Sequence, residues 1–308
     1  MSKTAFLFPG QGVQKCGMGK DFYENSSQAA NLFEKASEAL GLDMKALCFE
    51  ENARLDQTEY TQAALVTTYL AMCRELESRG VKPDITAGLS LGEYAAIAAA
   101  GAMSDLDAIR LVRKRGMLMQ NTVPAGEGAM CAILALDEKK IEEILSEIPD
   151  VTIANYNCPG QIVITGKTAA VEMAAARLKE IGARRTLMLN VSGPFHSPML
   201  EPAGAALRQE LEQVTFQRLQ IPYVTNVNAC EITDASEIPE LLVRQMYSPV
   251  RWMQSMEYML KSGVDTFVEI GPGKTLSGFM RKIDRSVKTL NIENMADFEK
   301  AMAELKGE

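Results

Sequence analysis

The chain has 308 residues, about twice the ~150 common for one domain, which leaves room for a large domain carrying a smaller one. With 47% hydrophobic and 23% charged residues, 22 Gly and 12 Pro, it has an ordinary globular composition, which excludes collagen, coiled coil and wholesale disorder. Its 32 Lys and Arg against 40 Asp and Glu give a net charge of −8, which argues against nucleic acid or an anionic membrane as the main partner, because each needs a basic footprint.

In chain order, the N-terminus offers only Ala5-Phe6-Leu7-Phe8 before Pro9-Gly10. That is too short for a signal peptide, so a cytoplasmic location is expected. No apolar run reaches the ~18 residues of a membrane helix; the longest, Tyr94 to Met103, starts beside Glu93. Thr4 to Phe8 reads as a buried strand. Helical patterns follow at Ser27 to Leu40 and about Glu59 to Arg79, each closed by a glycine, Gly41 and Gly80. Ile85 to Leu89 reads as a strand and Leu91 to Ala100 as a helix, with Ser90 at the turn between them. Ser104 to Asp107 has the spacing of a capping box and opens a helix running to about Asn121.

From Ala129 the order becomes strand, helix (Asp137 to Ile148), strand (Val151 to Tyr156), strand (Gln161 to Thr165), helix (Thr168 to Ile181), strand (Arg185 to Asn190). This βαββαβ order is ferredoxin-like. Helices and buried strands then alternate again, including Ile221 to Thr225 and Thr266 to Ile270, and Ala296 to Leu305 reads as a surface helix. The expected α/β architecture is a large domain formed by 1–124 and 192–308 with a small ferredoxin-like domain, 125–191, inserted in it.

The six cysteines lie far apart without a C-x-x-C pair, so no zinc or redox site is expected and they read as reduced, mostly buried thiols. Two glycine-rich segments fail as phosphate loops: Lys15 breaks G-x-G-x-x-G after Gly10, and Val268 replaces the first glycine needed before Gly273-Lys274-Thr275. Gly88-Leu89-Ser90-Leu91-Gly92 does fit G-x-S-x-G, in which a tight strand-to-helix turn presents a serine hydroxyl. A chance match is the bland alternative, and the flanking strand and helix weigh against it. The Leu91 N–H, at a helix N-terminus, is a ready oxyanion donor.

A serine nucleophile needs a base, and the only histidine is His196, on a loop bounded by Pro194 and Pro198. No third acid stands out; Glu201 and Asp234 are available, but neither has a motif around it. On the Asp105 to Asn121 helix, Arg115 shares its face with Leu111, Val112, Leu118 and Met119, so it is the arginine of that helix expected to be partly buried. A buried guanidinium without a partner would suit a ligand carboxylate; the alternative is a stem that packs while its head reaches water.

Six segments together, Phe8-Pro9-Gly10-Gln11-Gly12, Gly88 to Tyr94, Arg115-Gly116, Phe195-His196-Ser197, Gln245 to Trp252 and Glu269 to Gly273, resemble the malonyl-CoA:acyl carrier protein transacylases of the acyltransferase family. The likeness spans Phe8 to Gly273 and implies an α/β-hydrolase-like large domain. It implies that Ser90 accepts the acyl group and that His196 is its base, oriented by the backbone carbonyl at Gln245 in place of an acid. It further implies that Gln11 and the Leu91 N–H form the oxyanion hole, that Arg115 clamps the malonyl carboxylate, and that Phe195 goes with malonyl rather than methylmalonyl units. The implied reaction is a ping-pong transfer from malonyl-CoA to the phosphopantetheine thiol of an acyl carrier protein. No cofactor or metal is needed, and a monomer is the family's default. Most members have His before the serine where this chain has Leu89.

The competing readings are a malonyl acyltransferase of polyketide synthesis, a serine acyl hydrolase on the same fold, and a carrier-binding module without activity. Carrier proteins of this kind are acidic, so a local basic surface is expected at Arg281, Lys282 and Arg285 or at Arg184 and Arg185.

Overall fold

A computed structural model describes residues 2–307. The elements are β1 (Lys3–Phe8), α1 (Lys20–Asn25), α2 (Ser27–Leu40), α3 (Met44–Phe49), α4 (Thr58–Ser78), β2 (Ile85–Gly88), α5 (Gly92–Ala99) and α6 (Asp105–Asn121). Then come β3 (Gly128–Leu134), α7 (Glu138–Ser146), β4 (Val151–Cys158), β5 (Gln161–Lys167), α8 (Thr168–Glu180), β6 (Arg185–Met188), α9 (Glu201–Leu211), β7 (Tyr223–Val224) and β8 (Glu231–Ile232). The chain closes with α10 (Ile238–Gln245), α11 (Trp252–Lys261), β9 (Val264–Ile270), α12 (Thr275–Ile283), β10 (Lys288–Ile292) and α13 (Met295–Lys306).

These form two sheets in a mixed α/β fold. The larger runs β10-β9-β1-β2-β7-β8, parallel except for the β7–β8 pair. Its central strand β1 is apolar at consecutive positions because both faces are covered: Phe6 and Phe8 join one core cluster, Ala5 and Leu7 the other. The second sheet, β4-β5-β3-β6, is antiparallel throughout. Cys131 and Ile133 of β3 face a core shared with α7 and α8, while Met130 and Ala132 pack into the large core. Strand β4 is also tied to the segment before α11, where Tyr156 N–H donates to the Val250 carbonyl at 2.9 Å and Val250 N–H to that of Ala154 at 2.7 Å.

The expected elements fall within a few residues of those observed, with differences that have physical causes. The Ile221 to Thr225 run pairs only over Tyr223–Val224, beside the short β8. The closing helix is not simply a surface helix, because Phe298, Ala301 and Met302 are buried and Phe298 meets Phe22 edge-on at 5.7 Å. The capping box at Ser104 is half made: Ser104 Oγ accepts from Asp107 N–H, while its own hydroxyl donates a hydrogen bond to the Asp107 carboxylate. All six cysteines are free thiols, and four of them are buried. Among the described residues, no helix is long and apolar enough to cross a membrane.

Candidate active site

The turn between β2 and α5 is built by two glycines that nothing larger could replace. A Cβ on Gly88 would lie 1.9 Å from the Gly92 carbonyl group, and one on Gly92 would lie 2.2 Å from the Phe8 carbonyl oxygen. The close approach forces Ser90 into the left-handed region, at φ 54°. Asn226 holds it there: its Oδ1 accepts from Ser90 N–H at 2.7 Å, and its Nδ2 donates to the Gly88 carbonyl at 2.7 Å. The hydroxyl thus stands at the floor of a cleft of about 450 Å³ between the two sheets.

His196, 3% exposed, arrives from the other half of the chain on a loop stapled by a 2.7 Å bond from Ser197 Oγ to the Pro194 carbonyl. Its own φ is 59°, so both members of the pair sit on strained backbone. Nε2 lies 2.7 Å from Ser90 Oγ, and Nδ1 lies 2.9 Å from the Gln245 carbonyl oxygen. A carbonyl can only accept, so Nδ1 carries the proton and Nε2 is free to take one from the serine. Burial, aided by the Arg115 charge, pushes the imidazole down to about 3, and it is neutral at physiological pH. Neither Glu201 nor Asp234 approaches it; Asp234 instead caps Ser236 N–H.

Arg115 is fully buried, which rules out a head group reaching water. Its acceptors are neutral: Gln62 Oε1 and Gln245 Oε1, each at 2.9 Å, and Ser90 Oγ at 3.0 Å. Among the described residues its Nε has no hydrogen-bond partner. A buried cation without an ion-pair partner among the described residues, set beside the Ser90 hydroxyl, is the arrangement that a ligand carboxylate would complete. The ring of Tyr94 lies 5.6 Å from the guanidinium carbon and covers it.

Gln11 and Phe195 line the cleft, whereas Leu91, Arg115 and Gln245 are fully buried beneath it. The Gln11 side chain is turned away to Thr58 Oγ1, at 3.2 Å. Among the described residues neither the Gln11 nor the Leu91 N–H has an intramolecular acceptor, so both backbone donors are free. Leu89 packs over Gly10, in the apolar cluster on the α11–α12 side of the sheet, and lines the cleft. An apolar contact thus stands where a His would make hydrogen bonds. Both expected basic patches, Arg281, Lys282 and Arg285 as well as Arg184 and Arg185, are exposed and have no ion-pair partner among the described residues.

With this geometry in place, the chain matches the family model described as "Acyl transferase domain" over residues 5–300. The chain belongs to this acyl transferase family. It is 45% identical to the malonyl CoA-acyl carrier protein transacylase of Bacillus subtilis (strain 168), covering 100% of this chain and 99% of that protein. The crystal structure of the transacylase of that name from Clostridium perfringens superposes with a TM-score of 0.96 at 43% identity, over 99% of this chain and 98% of that one. A malonyl-transacylase solved in complex with a type II PKS acyl-carrier protein superposes with a TM-score of 0.95 at 38% identity, over the whole of both chains.

Three residues of this acyltransferase site escape a reading of the sequence alone. Gln62 and Asn226 stand in no motif, and each meets its partner only through the fold, across 53 and 136 residues. Glu93 is part of the serine motif, but no spacing shows that it would be fully buried.

Proposed function

We propose that the chain transfers malonyl from malonyl-CoA to the phosphopantetheine thiol of an acyl carrier protein through a malonyl-Ser90 intermediate, supplying malonyl units for fatty acid synthesis. His196 Nε2 takes the Ser90 hydroxyl proton as Oγ attacks the thioester carbonyl carbon. The Gln11 and Leu91 N–H groups hold the oxyanion. The C–S bond then breaks, and the departing CoA sulfur takes the proton from Nε2. The carrier thiol repeats the sequence in reverse. Acyl transfer between a thioester and a serine needs neither metal nor redox group, so no cofactor is assigned.

The observation that carries this reading is Ser90 Oγ lying within hydrogen-bond reach of both the lone imidazole and a buried guanidinium whose other acceptors are two side-chain amides. The malonyl carboxylate displaces Ser90 Oγ from Arg115 and supplies the missing anion, which spends binding energy on placing the thioester. Phe195, buried against the cleft wall, narrows the space for an α-substituent. Arg115→Ala is expected to lower malonyl loading by at least about 100-fold relative to acetyl loading, about 2.7 kcal/mol. Stopped-flow loading with the two CoA thioesters measures the ratio; an equal loss for both would remove the clamp.

The finer architecture belongs to the same reading: an α/β-hydrolase-like large domain, 1–124 and 192–308, with a ferredoxin-like insert at 125–191. The antiparallel order β4-β5-β3-β6 supports the insert, and the parallel sheet with its serine turn after β2 supports the large domain. One chain carries every group the reaction uses, so the monomer is the working unit, and the cytoplasm is its proposed place. The likeness to the transacylase bound to a polyketide carrier makes such a carrier a second acceptor to test.

A further inference from the structure

The oxygen of the Gln245 amide faces Arg115 because its nitrogen is held elsewhere. Gln245 Nε2 donates to Glu93 Oε2 at 2.6 Å and to the Ser90 carbonyl at 2.9 Å. The Ser90 carbonyl only accepts, as does Glu93 in its ionised form, so turning the amide over would then set oxygen against oxygen at two places. The orientation that remains presents Oε1 to Arg115 at 2.9 Å and leaves the same guanidinium nitrogen 3.0 Å from Ser90 Oγ. Glu93 is fully buried and lies outside the cleft lining; its Oε2 also accepts from Asn226 N–H at 3.3 Å, and among the described residues it forms no ion pair and its Oε1 has no hydrogen-bond partner. A carboxylate held this way does not favour the fold, which argues for a role other than stability.

We propose that Glu93 is a positioning residue for Arg115, acting through the amide of Gln245, and that it thereby helps set the preference for acyl groups bearing a free carboxylate. The inference rests on the malonyl transfer proposed above. Its content is hydrogen-bond direction rather than charge: what matters is an acceptor of the right length opposite Gln245 Nε2. Two substitutions separate these. Glu93→Gln removes the charge but can turn its own oxygen toward Gln245, whereas Glu93→Asp keeps the charge and withdraws it by one methylene.

The readout is the ratio of kcat/KM for loading from malonyl-CoA to that from acetyl-CoA, with Arg115→Ala as the lower reference. Glu93→Asp is expected to lower the ratio by about tenfold or more, while Glu93→Gln keeps the ratio within about threefold. If Glu93→Asp keeps the wild-type ratio, or loses malonyl and acetyl loading alike, the positioning role is overturned. If Glu93→Gln falls as far as Glu93→Asp, the charge matters and the orientation does not, which overturns it equally. Glu93→Met, of similar length and unable to accept a bond, takes the place of Glu93→Asp should that variant fail to fold. A wild type that does not load malonyl at all would contradict the proposed transfer itself, whatever Glu93 does.

Discussion

A single imidazole held without a carboxylate has a consequence that can be observed directly. In most serine hydrolases the acid behind the histidine raises its basicity, whereas here a backbone carbonyl orients the ring and Arg115 opposes its charging. With one histidine in the chain, its ring resonances are unambiguous in a ¹⁵N NMR titration. The ring is expected to stay neutral, with the proton on Nδ1, from about pH 8 down to about pH 5, where an ordinary histidine is nearly all charged. Charging near the ordinary value of 6.5 would contradict the buried environment. The linkage sign follows: the unfolded histidine binds a proton near 6.5 and the folded one only near 3, so its contribution weakens the fold as pH falls through that window. Glu93 opposes it, because burial raises it from 4.5 to about 7 and the folded state binds its proton first on acidification. The placement of Ser90 on its turn, the candidacy of His196 as its partner and the inward face of Arg115 were legible from residue type and local pattern. Asn226 and Gln62 were not, because their roles depend on distances that only the folded chain sets.

Among the elements, the serine turn is the one whose sequence leaves least freedom. Gly88 has no space for a methyl group against the Gly92 and Glu93 backbone, and backbone cannot rotate aside as a side chain can. Gly88→Ala is therefore expected to destabilise the protein by about 3 kcal/mol or more, at or beyond the usual limit for overpacking. Urea unfolding followed by circular dichroism measures it; a change below about 0.5 kcal/mol would mean that the turn relaxes at little cost. The same turn shows why element order was readable. Strand, tight turn and helix each have their own local signal, and the βαββαβ run alternates periods cleanly between Gly128 and Met188. The short β7 and β8 carry no comparable signal: with only two residues each, they are strands by virtue of what they pair with.

At the scale of the whole molecule, the cleft exists because the smaller sheet uses both faces, one closed by its own helices and the other packed on the large core. Helix α12 borders this cleft with Thr275, Leu276 and Phe279 and carries exposed Arg281 and Lys282 near its end. A chain of net charge −8 needs such a local patch to receive an acidic carrier. Arg281→Glu with Lys282→Glu is expected to raise the KM for the carrier by about tenfold at low salt, and by less as salt screens the patch. An unchanged carrier KM across salt concentrations would move docking elsewhere, to Arg184 and Arg185 first. No sequence pattern distinguishes these two patches, because each is simply a run of cations on a solvated surface.

The central claim is a covalent malonyl group on Ser90, and intact-protein mass spectrometry after mixing with malonyl-CoA alone tests it most directly. The account predicts one malonyl adduct on the wild type and none on Ser90→Ala, with the adduct discharged by holo acyl carrier protein. No adduct on the wild type, with free malonate and CoA accumulating, would contradict it and make the protein a hydrolase.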